Sequence, residues 1–413
     1  MTDHPTADGD AYRLPRRRFI AASAAATAGL AGCLGDGDDG ATENGSDDGD
    51  RPQGSTPEAI DAEEVPGPGS TVVEDPPAAV YLPTHREAFG MLPTRQVGEY
   101  AVMPHYTYSH TFWLMRGAER EEVAPEGQSL HLMFAFWDAE TGAMLPVDVG
   151  GRIEVFRDGE RIAGPRRMWP MISQGMGFHF GDNVPFASDD HDSPFPEEGS
   201  YEIDLTLDPI GIEKTGAFAG RFDRQISTTI DFEFSIDDFE AITDDVEYFD
   251  EERWGEPGAM ELRGHGMMAG EGGGHDGGGH DGGSSREVAL PPAAEYPGRD
   301  LGTPESHDAA FVIRYLPESR LADGGEYLLV SPRTPYNRVP LPDMALSVDG
   351  DITGKLTQTL DSELGYHYGT PVALAAGDSF ELVVESPPQV ARHQGYETAF
   401  VDMPPMSVEV PTG

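Results

Sequence analysis

Residues 201–207 read Tyr-Glu-Ile-Asp-Leu-Thr-Leu, and this pattern decides how the chain folds. Apolar and polar side chains alternate, as they do in a strand with one face buried. The alternation returns in residues 130–136 and 232–236, and further strand-like segments occupy 326–330 and 380–385. Gly, Pro and Asp clusters separate these segments, while no segment sustains a helical period over three turns. The sequence therefore predicts an all-β protein built from β-sandwiches.

Two low-complexity stretches divide the 413 residues. Residues 34–75 contain almost no large apolar side chain, so we expect a disordered acidic tether. Residues 257–286 are rich in Gly, His and Met and are typical of a flexible linker. The strand-like segments fill residues 76–256 and 287–413, which predicts one β-sandwich domain on each side of the linker.

A short motif occurs once in each predicted domain. Residues 177–181 read Gly-Phe-His-Phe-Gly, and residues 365–369 read Gly-Tyr-His-Tyr-Gly. Each motif is followed by a strand-like segment that begins at a glycine. We interpret the two halves as copies of one domain, with His179 and His367 at equivalent positions. Coincidence among turn-rich β sequences is the alternative.

The chain is strongly acidic. It has 74 Asp and Glu residues against 27 Lys and Arg, a formal net charge of -47, which argues against nucleic-acid binding. Such charge opposes compaction unless salt screens it, so we infer a halophilic, archaeal source. Acidic linkers alone could bias the total, but residues 231–238, inside a strand-rich region, are acidic as well.

The N-terminal residues resemble an export signal. Arg16 and Arg17 begin a twin-arginine pattern, a short apolar run follows, and Leu-Ala-Gly precedes Cys33 as in a lipobox. We expect residues 1–33 to be a Tat signal peptide, with a membrane lipid attached to Cys33 and the protein anchored at the outer face of the cytoplasmic membrane. An uncleaved anchor is the alternative, but the run is shorter than the roughly 20 residues that span a bilayer.

Cys33 is the single cysteine of the chain. The sequence therefore excludes an intramolecular disulfide, a thiolate zinc cluster and a cysteine hydrolase. It also contains no nucleophile elbow, no phosphate-binding loop and no HExxH motif. We expect a protein that is not an enzyme, although metal-dependent redox chemistry stays open.

Thioether and imidazole side chains cluster in the first predicted domain. Together these ligands favour copper, and the sulfur selects Cu(I). The alternative is structural, because methionines fill gaps in cores and histidines form hydrogen bonds in turns. The clustered residues are Met103, His105, His110, Met168, Met171, Met176 and His179.

Met168-Trp-Pro-Met171, followed by Gly-Phe-His-Phe-Gly-Asp-Asn from residue 177, resembles the periplasmic high-affinity iron-transport lipoprotein family of bacteria. The resemblance covers about residues 80–239 and, more faintly, the second domain. It implies an immunoglobulin-like β-sandwich that binds copper through Met and His, often forms a homodimer and assists a membrane iron permease.

The same resemblance implies the metal ligands. His179 corresponds to the family's central His, Met171 to its second Met, with Met168 before it, and His105 or His110 to the His of its early strand. The family's late His has no counterpart in residues 216–224. In the second domain His393 resembles that late His and His367 the central one.

Two functions are compatible with the sequence. The first is a cell-surface lipoprotein that binds copper or iron through Met and His and is accessory to iron uptake. The second is a non-catalytic envelope protein whose β-sandwiches bind another protein while the histidines are structural. Stoichiometric metal binding would separate them.

Overall fold

The structure is a computed structural model, and it describes residues 68–125, 127, 129–186, 195–262 and 288–412. Within these ranges the chain consists of strands with a single α-helix and a few 3-10 turns, so the all-β prediction is confirmed. The predicted signal peptide with Arg16, Arg17 and Cys33 lies outside the described residues. So do most of the tether and residues 263–287 of the linker region.

Twenty-six strands follow one another along the described chain. They are β1 (His85–Arg86), β2 (Gly90–Met91), β3 (Arg95–Val97), β4 (Tyr100–Tyr108), β5 (Phe112–Arg116), β6 (Glu119–Val123), β7 (Ser129–Asp138), β8 (Arg152–Arg157), β9 (Glu160–Arg167), β10 (Trp169–Ser173), β11 (Gly177–Pro185), β12 (Gly199–Leu207), β13 (Glu213–Thr215), β14 (Ile226–Phe234), β15 (Glu247–Tyr248), β16 (Arg299–Gly302), β17 (Glu305–Ser306), β18 (Ala309–Ser319), β19 (Gly325–Arg333), β20 (Ala345–Gly350), β21 (Gly354–Lys355), β22 (Thr357–Asp361), β23 (Gly365–Pro371), β24 (Ser379–Ser386), β25 (Ala391–Arg392) and β26 (Met406–Glu409). The α-helix α1 spans Ile236–Asp244, and the 3-10 turns are Pro68–Ser70, Gly216–Phe218, Glu251–Arg253, Ala293–Glu295 and Arg320–Ala322.

The strands form four larger sheets and one two-stranded ribbon. The largest sheet has the order β2-β4-β7-β11-β10-β25-β5-β6, with β3 also paired to β4. A second sheet has the order β13-β22-β23-β19-β18-β16, with β17 also paired to β18. Two four-stranded sheets, β14-β12-β8-β9 and β21-β20-β24-β26, and the ribbon β1-β15 complete the fold.

The predicted alternation is observed in β12, where Tyr201, Ile203, Leu205 and Leu207 are buried and the residues between them are more exposed. Strand β7 differs, because all its residues are buried. Its Leu and Phe side chains enter the main hydrophobic core, while Ala135 and Trp137 on the opposite face pack with Val288. A central strand of this sheet is therefore covered on both faces and is not half-buried.

Strands from the two halves of the chain are exchanged between the larger sheets. Strand β25, late in the sequence, lies between β10 and β5 and pairs with β10 in parallel, Met171 opposite Ala391. Conversely, β13 pairs in parallel with β22 of the second sheet. The domain boundaries stay a prediction, but this exchange brings the end of the chain onto the largest sheet.

The two repeated motifs adopt the same local arrangement. Each forms the second strand of a hairpin, β10-β11 or β22-β23, with His179 opposite Met171 and His367 opposite Thr359. In each motif the His Nδ1 lies near the carbonyl oxygen of the glycine two residues earlier, at 3.1 Å and 3.0 Å. Duplication of an immunoglobulin-like domain stays a hypothesis.

Candidate metal centre

Three buried histidines, His110, His131 and His393, converge on one face of the largest sheet and form what we call the histidine triad. One ring nitrogen from each lies within 4.8 Å of the corresponding nitrogens of the other two. The ring centroid of His110 is 4.0 Å from that of His131 and 4.8 Å from that of His393. Each of the three residues is at most 3% exposed. Three imidazoles at this spacing could hold a metal ion.

Three different segments supply the triad. His131 lies on β7, on the face opposite the main core, because side chains alternate along a strand. His110 follows the end of β4 in the turn that leads to β5. His393 follows β25, and its backbone N–H donates to the carbonyl oxygen of Ile172 on β10 at 3.1 Å. The parallel insertion of β25 therefore places His393 beside the two histidines of the earlier strands.

Strand β11 shapes the floor of the centre through alternate residues. His179, Gly181 and Asn183 share one face of this strand. The ring of His179 lies 5.0 Å from that of His393. At Gly181 a Cβ atom would meet Nε2 of His131 at 2.7 Å and Sδ of Met171 at 2.8 Å. Because Gly181 has no side chain, the Met171 sulfur and the His131 nitrogen can both occupy the space beside it.

Asn183 fixes which nitrogen of His131 carries the proton. The Asn183 Nδ2 donates to the carbonyl oxygen of His110 at 2.9 Å, which sets the orientation of the amide. Its Oδ1 therefore faces His131 Nδ1, at 2.9 Å, and can only accept. His131 Nδ1 carries the proton, and Nε2 presents a lone pair to the centre.

In the other two histidines of the triad, Nδ1 likewise carries the proton and donates it to a neighbouring oxygen. His110 Nδ1 donates to the carbonyl oxygen of Tyr108 at 3.2 Å, and His393 Nδ1 donates to the carboxylate of Glu87 at 3.3 Å. Among the residues that the structure describes, none forms a hydrogen bond with the buried Nε2 atoms of the triad. Metal-binding histidines in proteins commonly have this pattern, with Nδ1 held by an outer partner and Nε2 left for the ion.

The electrostatics of the centre favour neutral imidazoles beside a carboxylate. Burial lowers the pKa of His110 to about 4, although Glu87 opposes the shift. Burial, together with the neighbouring His110 and His393, holds the pKa of His131 well below its usual range. For Glu87, burial raises the pKa, but His110 and His393 outweigh it and keep the pKa below its ordinary value. Neutral imidazoles are the form that binds metal ions.

Two further groups could complete a coordination sphere. Met171 is fully buried and contributes the sulfur beside Nε2 of His131. Glu87 Oε1 lies 3.6 Å from Nε2 of His110. A thioether suits soft ions such as Cu(I), and a carboxylate suits harder ions. The centre therefore offers both kinds of ligand around three nitrogens.

A small cavity of about 30 Å³ leads to the centre. Glu87 and His393 line it, together with Met176 and Met260. A space of this size admits a water molecule. A water-sized molecule therefore fits beside the carboxylate of Glu87 and the imidazole of His393.

The residues predicted from the sequence divide into two groups. His110 and His393 belong to the triad, and Met171 and His179 lie beside it. The other three lie elsewhere. His105 packs edge-on against the ring of Phe89 with the centroids 5.0 Å apart, Met168 belongs to the main core, and His367 in the second sheet lies with its Nε2 3.3 Å from the Tyr327 hydroxyl.

The sequence prediction lacks three residues of the centre, His131, Asn183 and Glu87. His131 did have a signal, since it is the one polar residue of the segment 130–136. Asn183 ends the stretch that carries the family resemblance, and Glu87 stands outside any motif. Each gains its role from a neighbour that is distant in sequence.

The fold and the centre define an all-β protein with a buried histidine cluster that could hold a metal ion. Residues 294–409 match a family described as a domain of unknown function, DUF7350. No curated protein matches the chain. In the part of the chain that the structure describes, no helix has both the length and the hydropathy needed to cross a membrane.

Proposed function

We propose that the chain binds one copper ion at the histidine triad, with the Met171 sulfur as an additional ligand and Glu87 as the nearby carboxylate. The convergence of three buried imidazoles, whose Nε2 atoms have no hydrogen-bond partner among the described residues, carries this proposal. Placing such nitrogens in the interior without a partner is costly, and a bound ion removes that cost.

The ligand set favours copper over other first-row metals. Copper lies at the top of the affinity order for nitrogen sites, and a thioether selects its reduced form. Zinc also accepts imidazoles but seldom a thioether, and Ca²⁺ or Mg²⁺ would need more oxygen ligands than Glu87 supplies. In this proposal copper is the bound ion, and iron is the ion whose uptake the protein assists.

We further propose that the protein works as a lipid-anchored metal-binding protein outside the cytoplasm, accessory to a membrane iron permease. The twin-arginine pattern, the lipobox at Cys33 and the resemblance at Met171 and His179 support this role. We also propose that two copies of the chain form a homodimer. Immunoblotting of membrane fractions from cells with Cys33→Ser, which should release the protein from the membrane, tests the anchor.

Metal titration of the full-length, metal-free chain tests the binding site. Cu(I), Cu(II), Zn(II), Fe(II) and Fe(III) are added separately in high salt, and bound metal is counted per chain. We expect one tightly bound copper ion. His131→Gln and His393→Gln should each weaken copper binding more than about 100-fold, because loss of even an outer partner costs about 10- to 100-fold.

His367→Gln and His105→Gln are matched controls, since both histidines are buried in strands but lie outside the triad. Their copper stoichiometry should equal that of the wild type. If no metal binds tightly to the wild type, the metal-binding proposal is wrong and an interaction protein with structural histidines takes its place.

A further inference from the structure

A row of aromatic rings connects the histidine triad with the protein surface. The ring of His110 lies 6.1 Å from that of Tyr108 between centroids, and Tyr108 lies 6.4 Å from His85. His85 in turn lies 5.4 Å from Tyr248, its direct partner across the β1-β15 ribbon. Tyr108 and His85 are buried, whereas Tyr248 is 49% exposed. The row therefore begins at a candidate metal ligand and ends in solvent.

The hydrogen bonds along this row have one consistent direction. The hydroxyl of Thr84 donates its single proton to the carbonyl oxygen of Thr71 at 2.9 Å. It must therefore accept from His85 Nδ1, which lies 2.8 Å away. His85 Nε2 is then the acceptor, so the Tyr108 hydroxyl, at 3.1 Å, donates to it. A phenol hydrogen-bonded to a neutral imidazole can lose an electron and pass its proton to that imidazole along the hydrogen bond.

A copper centre of this composition needs protection from its own chemistry. Reduced copper reacts with peroxide, and the sulfur of Met171 lies beside the triad, where it is readily oxidised to the sulfoxide. The cavity at Glu87 and His393 has room for a water-sized molecule beside the centre. An oxidising equivalent that stays at the centre would damage the ligands.

We propose that Tyr108, His85 and Tyr248 carry oxidising equivalents from the metal centre to the surface and thereby protect the ligands; this inference rests on the proposed copper site. Hydrogen peroxide takes up two electrons and becomes two hydroxide ions. A Cu(I) ion held by the triad would supply one electron and be left as Cu(II), and Tyr108 would supply the other, its phenolic proton passing to Nε2 of His85.

The radical then moves outward. Tyr248 returns an electron to Tyr108, which recovers its proton from His85, and Tyr248 releases its own phenolic proton to solvent. A one-electron donor of the ascorbate class restores Tyr248 by giving it an electron and a proton. The exposed ring of Tyr248 is the point at which such a donor can make contact.

Peroxide treatment of the copper-loaded full-length chain tests this inference. Wild type and the variants Tyr248→Phe, Tyr108→Phe and Tyr336→Phe are first checked for equal copper content and then given hydrogen peroxide without a reductant. Tyr336 is the control, because it is 57% exposed but lies outside the row of rings. The readouts are the tyrosyl-radical signal in paramagnetic resonance, the oxidised residues found by peptide mass spectrometry and the copper still bound.

For the wild type and Tyr336→Phe we expect a tyrosyl radical, oxidation concentrated at Tyr248 and largely intact ligands. For Tyr248→Phe and Tyr108→Phe we expect several-fold more oxidation of Met171 and the triad, and faster loss of copper. Equal oxidation of the ligands in all four proteins would overturn the inference that the row of rings protects them, while leaving the proposed copper site in place. Failure of the wild type to take up copper would overturn both.

Discussion

At the scale of single residues, Gly181 leaves room for the sulfur of Met171 and Nε2 of His131 to lie close to its Cα. A methyl group there would lie 2.7 Å from Nε2 of His131 and 2.8 Å from Sδ of Met171. We expect Gly181→Ala to weaken copper binding at least about tenfold, since displaced ligands cost about as much as lost outer partners. Competition titration with a Cu(I) chelator measures the change.

Gly211→Ala provides the control for the Gly181 variant. Nothing lies within 4 Å of the Cβ position at Gly211, so the added methyl group meets no neighbour. Its copper affinity should match that of the wild type. Equal affinity of the two alanine variants would mean that Met171 and His131 do not bind the ion together.

A second residue-scale prediction concerns pH. Burial lowers the pKa of His110 to about 4 in the folded protein, whereas an unfolded His titrates near 6.5. Between these values the unfolded chain binds a proton that the folded chain does not, so the stability of the metal-free protein falls as the pH falls from about 6.5 to about 4. The loss from His110 is on the order of 3 kcal/mol.

Urea unfolding of the metal-free protein at several pH values measures this dependence. His110→Gln should show a shallower decline over the same range, because glutamine does not titrate. A decline equally steep in the variant and the wild type would contradict the prediction.

At the scale of elements, Arg392 holds the loop that carries His393. Its side chain is fully buried, and its guanidinium donates to the carbonyl oxygens of Pro388, Tyr396, Ala399 and Phe400. Burial lowers the pKa of this guanidinium to about 9. A planar fork can reach several carbonyl groups at once, which a single ammonium group cannot do.

We therefore expect Arg392→Lys to lower the free energy of unfolding by on the order of 2 kcal/mol, because buried carbonyl groups lose their donors. Copper affinity should fall as well, since His393 is the next residue. Denaturant titration and copper competition check both effects, with the exposed Arg253→Lys as the control. Unchanged copper affinity in Arg392→Lys would show that the loop does not depend on this side chain.

The strands themselves could largely be predicted, but their partners could not. The alternation in residues 201–207 predicts β12, because one face of that strand meets the core and the other meets solvent. Strand β25 has only two residues, and its place between β10 and β5 depends on contacts with strands made far earlier in the chain. A local pattern holds no information about such a pairing.

The same limit applies to the site. His131 looks like an interruption in an apolar strand until the pairing with Asn183 is known. The role of Glu87 follows only from its contacts with His110 and His393, which lie beside it in space but far away in sequence. Motif resemblance did indicate Met171 and His179, because those residues are close together in sequence as well as in space.

At the scale of the whole molecule, the chain carries a net charge of -47, and repulsion among these charges opposes compaction. At 0.1 M salt charges repel one another over about 10 Å, and at 1 M the range shrinks to about 3 Å. We expect the melting temperature to rise steadily between 0.1 M and molar KCl. Thermal unfolding followed by circular dichroism tests this. A melting temperature that does not change with salt concentration would contradict the halophilic interpretation.

The position of His393 also has a consequence for the order in which the centre is made. His110 and His131 emerge from the ribosome early, whereas His393 follows only after the strands of the second sheet have been synthesised. A nascent chain that stops before β25 has two of the three imidazoles and no ring of ligands to close around an ion. All three histidines can therefore hold an ion only after the chain has been translated beyond β25.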